Sequence, residues 1–66
     1  MKVGDSIVVL VDGDTRGAEV REMLPNGDVL TSIKDYYGDY VEFPRRKVFT
    51  VSEWEQARYE LMEELK

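Results

Sequence analysis

The chain contains no cysteine and no histidine. Thiol nucleophiles, disulfide staples, imidazole acid–base catalysis and the common zinc ligand sets are therefore excluded together. At 66 residues it is one small domain, and a chain of that length buries only roughly 60% of the surface it exposes when unfolded. With no bridge to reinforce that core, association with further copies is a remaining route to extra stability. Long apolar runs are also missing: nothing approaches the roughly 20 residues that span a bilayer. The opening Met1-Lys2-Val3-Gly4-Asp5 brings a glycine and an acid too early for a secretory signal. These absences, with the lack of cysteine, read as a soluble cytoplasmic protein with no membrane partner.

What is present is globular in composition, 42% apolar and 35% charged, with a net charge of −5. Residues 1–51 hold 9 acids against 7 bases and residues 52–66 hold 5 against 2. Such a field repels phosphate backbones unless a local basic patch overrides it. Ile7-Val8-Val9-Leu10-Val11 is too short for a helix and reads as a strand, covered on its second face by another element such as the C-terminal helix. Asp12 to Gly17 reads as a polar loop. Its acids lack the Asp-x-Asp-Gly spacing and terminal glutamate of a calcium loop, so no metal is expected there.

Residues 18–24 form a second strand with Ala18 and Val20 inward; the phase then slips, and a bulge or sharp bend near Glu22 repairs it. Asn26-Gly27 between two β-prone runs predicts a two-residue hairpin turn with both residues at positive φ. In the next strand Val29, Thr31 and Ile33 share one face. After the loop Asp35-Tyr36-Tyr37-Gly38-Asp39, Val41 and Phe43 point in while Tyr40 and Glu42 point out. Pro44 ends that strand because it cannot donate to a ladder. The basic triplet Arg45-Arg46-Lys47 lies on a 3₁₀-like crossover, and Val48, Phe49 and Val51 form a last short strand.

Ser52-Glu53-Trp54-Glu55 has the form of a capping box opening a helix over 52–66. At 100° per residue Trp54, Ala57, Leu61, Met62 and Leu65 share one arc, with Arg58 inside it. Glu55, Gln56, Tyr59, Glu60, Glu63 and Glu64 fill the other side. Trp54, the largest apolar group, is expected to anchor this helix on the sheet. The polar face is acidic, which opposes binding to a membrane surface.

Five short strands with a long first loop, a tight central hairpin and a 3₁₀-like crossover describe a mainly β fold. It is a small five-stranded SH3-like barrel over residues 1–51 with a C-terminal amphipathic helix packed on it. The stretch from Asp28 to Pro44, with its Asp35-Tyr36-Tyr37-Gly38 turn, resembles the second half of a Tudor domain. Val3-Gly4-Asp5-Ser6-Ile7-Val8-Val9 is similar to the first strand of KOW modules. The Tudor resemblance implies recognition of a methylated cation by an aromatic cage, with Tyr36, Tyr37 and Tyr40 beside Asp39 as part of its wall. The first loop, however, has no aromatic residue to close such a cage. The KOW resemblance implies contact with nucleic acid, for which Arg45, Arg46 and Lys47, with Lys34 and the nearby tyrosines, are the candidates. The plainer reading of the triplet is pairing with local acids such as Glu42.

Catalysis and cofactors are not expected. The carboxylates show no paired spacing, and so small a barrel has no room for a pocket of several hundred cubic ångströms. The expected function is a non-catalytic protein-binding module docking through the Tyr36–Tyr40 loop, an adaptor or an inhibitor of the kind carried by phage and mobile elements. The alternatives are a nucleic-acid-associated module acting through Arg45, Arg46 and Lys47, and a homo-oligomerising structural domain.

Overall fold

The computed structural model describes residues 1–64, with side chains through Arg58. Five strands, β1 (Ser6–Val11), β2 (Asp14–Met23), β3 (Val29–Lys34), β4 (Tyr40–Phe43) and β5 (Val48–Thr50), are followed by helix α1 (Val51–Glu64). They form one antiparallel sheet in the order β4-β3-β2-β1-β5. Each end strand pairs on one side only, so one edge of β4 and one edge of β5 lie outside the ladder.

The first loop is not long. Val11 pairs with Asp14, leaving Asp12-Gly13 as a two-residue turn with φ of 49° and 82°. Positive φ at both positions is the hairpin geometry that matches strand twist, so β2 begins at Asp14, inside the segment expected to be loop. Asn26-Gly27 departs from expectation in the opposite sense. Pro25 fixes the backbone for a type I turn, and the Gly27 amide donates to Leu24 O (3.0 Å). Only Gly27 then takes positive φ, at 92°. The connection is a three-residue loop closed by the Leu24 amide donating to Asp28 O (2.9 Å).

Pleating sorts the apolar residues into a core face. Ile7, Val9, Val20, Val29 and Val48 are fully buried together with Thr31, and Val11, Ala18, Ile33 and Phe43 pack against them. The phase slip in β2 is absorbed by a bulge between Val20 and Glu22, which turns Glu22 out to solvent. A second irregularity interrupts β3–β4 between Leu30 and Lys34. Hydroxyls supply bonds beside the first break and within the second. Ser32 Oγ accepts the Glu19 amide (2.9 Å), and Thr31 Oγ1 donates to Val41 O (2.9 Å) while accepting the Ile33 amide (3.3 Å).

Trp54 meets the sheet, but on the face opposite this core. Val8 lies opposite Phe49 in the β1–β5 register, one residue out of phase with Val9 and Val48. The indole stacks obliquely on Phe49 with centroids 5.7 Å apart. Helix α1 accordingly touches chiefly β5 and β1, covering the second face of the Ile7–Val11 run. Trp54 and Ala57 are half-buried; Leu61, Met62 and Leu65, placed on the same arc by periodicity, lie outside the side chains described, as do Tyr59, Glu60, Glu63 and Glu64.

The capping box sits two residues earlier than Ser52 and Glu55. Thr50 Oγ1 accepts the Glu53 amide (3.1 Å), Glu53 Oε1 accepts the Thr50 amide (3.5 Å), and Val51 is the first helical residue instead of the last of β5. Glu53 also pairs with Arg45 Nη2 at 3.1 Å. The Thr50 hydroxyl first, with the Arg45 guanidinium and the Thr50 amide, holds the Glu53 carboxyl below its ordinary 4.5, although desolvation, second in size, opposes them. A depressed folded-state value means that the stabilisation is complete above the ordinary value and is lost as pH falls through the folded one. Wild type should therefore lose stability on acidification below about pH 4.5 more steeply than Glu53→Gln. Parallel thermal melts from pH 6 to pH 3 check this, and superimposable pH profiles would show that the bonds to the Glu53 carboxylate do not stabilise the fold.

Candidate functional site

The β3–β4 connection repeats the build of the β2–β3 loop. The Asp35 amide donates to Asp39 O (2.8 Å), the Gly38 amide donates to Asp35 O (3.1 Å), and Gly38 takes φ of 84°. Tyr36 and Tyr37 thus fill the first two positions of a three-residue loop, where side chains must project from the sheet end. The Asp35 carboxylate braces the turn from below: one oxygen, Oδ1, accepts both the Tyr37 amide (2.8 Å) and the Asp39 amide (3.0 Å).

The two rings are almost wholly in solvent, Tyr36 at 96% and Tyr37 at 85% exposure. They meet edge to face with centroids 5.5 Å apart and planes at 90°. Edge to face is a preferred packing geometry for two aromatic rings. Two large rings held out on a braced turn form a ready contact surface, since aromatic side chains supply area at low entropic cost.

Tyr40 does not join them in an open cage. Its ring lies one residue beyond Asp39 at the start of β4, with the Arg21 guanidinium 4.8 Å and the Lys34 ammonium 5.6 Å from the centroid. The chain's own cations thus occupy the cation-attracting ring. The Asp12-Gly13 turn contributes no aromatic wall, as its sequence requires. Arg21 was not singled out from sequence, although it belongs to this cluster. It is the extra residue at the β2 bulge, and a pattern of alternation alone does not say where a bulged side chain points.

The basic triplet is divided by its contacts. It forms a 3₁₀ turn, Arg45–Lys47, whose Lys47 amide donates to Pro44 O (2.9 Å), and it rests against β1 and β5, whereas Lys34 lies on Tyr40. Arg45 donates through Nη1 to Val48 O and through Nη2 to Glu53, so its local acid is Glu53 and not Glu42. Arg46 and Lys47 are exposed and make no ion pair among the described residues. Two neighbouring cations are a small footprint for a phosphate backbone, where each neutralised phosphate adds separately to affinity.

Among the described residues no group of three or more potential metal ligands converges, and no helix is long and apolar enough to cross a membrane. A shallow open groove runs past Ser6, Val8, Gly17, Glu19, Ser32 and Val51. It borders the helix start and does not include the tyrosine loop. Compared with known families, with curated proteins and with solved structures, the chain matches none of them.

Proposed function

We propose that this protein is a non-catalytic binding module of SH3-like build that docks onto another protein through the Tyr36–Tyr40 loop, as an adaptor or an inhibitor. The supporting observation is the tyrosine pair itself, two rings 96% and 85% exposed on a turn braced by Asp35. Large aromatics in solvent stabilise nothing in the free fold, and desolvating them against a partner is favourable. Asp39 at the loop's end adds an acid beside the rings, suiting a partner with a cationic rim. Contact with nucleic acid through Arg46 and Lys47 is the alternative, and the net charge of −5 opposes it.

The double variant Tyr36→Ala/Tyr37→Ala separates the two. Captures from lysate of the native host should lose their specific band with this variant, while the melting temperature stays within about 2 °C, as expected for surface changes far from the core. A band retained by the tyrosine variant but lost on changing Arg46 and Lys47 to Ala, or on adding nuclease, overturns the reading in favour of nucleic acid.

A further inference from the structure

The two outer edges of the sheet are finished differently. On β5, residues 48 and 50 point their backbone groups away from β1, and both are met by side chains. Arg45 Nη1 donates to Val48 O, and Glu53 Oε1 accepts the Thr50 amide. The Arg45–Glu53 ion pair at 3.1 Å is thus a lid on that edge, supplying the donor and the acceptor that a new strand would otherwise bring. On β4 the phase follows from Thr31: its hydroxyl bonds Val41 O, so Val41 and Phe43 face β3, and Tyr40 and Glu42 turn their amides and carbonyls outward. No described side chain or backbone group bonds these four outward groups. One edge is sealed and the other is open.

We propose that the outer edge of β4 receives an extended segment of a partner protein as a sixth, antiparallel strand, with a cationic residue opposite Glu42 and an acidic one opposite Tyr40. This rests on the reading of the Tyr36–Tyr40 loop as the docking end of the molecule and names the form of what docks there. Strand addition supplies affinity through the backbone and specificity through alternate side chains. Tyr40 and Glu42 are both exposed and share the outer face. Glu42 calls for a cation across the new pairing, and the Tyr40 position, already carrying Arg21 at 4.8 Å and Lys34 at 5.6 Å, repels one and favours an acid. In an antiparallel strand those two partner residues are two apart, in the order cation, any residue, acid. Pro44 ends the donor row, so the segment engages this short stretch and continues past the loop, where Tyr36 and Tyr37 can cover it.

The probe is the capped heptapeptide Thr-Val-Lys-Val-Glu-Val-Thr, titrated to millimolar concentration into the whole ¹⁵N-labelled protein. The expected result is saturable shifts at the Tyr40 and Glu42 amides and at least fivefold slower hydrogen exchange there. The same peptide N-methylated at its Lys and Glu amides should bind at least tenfold more weakly. Glu42→Pro, which removes an outward amide at an edge position and leaves the bonds to β3 in place, should also weaken binding at least tenfold. If that variant does not fold, the methylated peptide decides alone. Absence of shifts at these amides, or equal binding by the methylated peptide, overturns the proposal. Binding lost in Tyr36→Ala/Tyr37→Ala but kept in Glu42→Pro overturns the edge and keeps the loop. The reverse pattern keeps the edge and removes the loop reading.

Discussion

Thr31→Val should lower the unfolding free energy by about 1–3 kcal/mol, the usual cost of leaving a buried polar group unpaired. Thr31 is fully buried in an otherwise aliphatic core, and its hydroxyl stands in for the ladder bonds missing between Leu30 and Lys34. It donates to Val41 O and accepts from the Ile33 amide, so valine, nearly the same shape, strands a carbonyl and an amide at once. A domain of this size has on the order of 3–10 kcal/mol to lose, and the change is a large fraction of that. Urea denaturation of wild type, Thr31→Val and Thr31→Ser measures it. Serine should hold the hydroxyl bonds and lose only a methyl's packing, so serine less stable than valine would show that the hydroxyl is not the stabilising part.

Ile7→Ala should cost about 2–5 kcal/mol, the range for deleting a buried aliphatic side chain into a partly collapsing cavity. Ile7 is 2% exposed, and among the described residues five aliphatic side chains are fully buried, so neighbours able to relax into the gap are few. Val8→Ala is the paired measurement. Val8 sits on the opposite face beside Phe49, half-buried under the start of α1, and its truncation should cost less than half as much. Midpoints in urea decide between them. Equal losses would mean that the sheet has no single core face and that Trp54 packs on a second core.

How far these features could be read in advance depended on whether neighbouring residues alone determine them. The inward set Val29, Thr31 and Ile33 and the outward Tyr40 and Glu42 follow from alternation, and β3 and β4 obey it. The bulge near Glu22 followed from the failure of alternation. Turn geometry was harder, because Asp12-Gly13 and Asn26-Gly27 both permit positive φ. Pro25 is what moved the second into a three-residue loop, and the pairing of Val11 with Asp14 tightened the first. Both Thr50-x-x-Glu53 and Ser52-x-x-Glu55 have the capping pattern. Arg45, eight residues from Glu53, selects the first by binding its carboxylate. Tyr36 and Tyr37 were legible as a protruding pair because their loop is local; the cations on Tyr40 come from two other positions and were not.

Composition, alternation and turn chemistry were enough for this protein's mainly β character, its strand faces and its aromatic tip, since each depends on residues close together along the chain. Tertiary structure alone decided where the helix begins, which face Trp54 covers, which cations hold Tyr40 and which sheet edge is sealed. Those outcomes depend on groups brought together across bulges and strand pairings, where a shift of one residue turns a side chain to the other face.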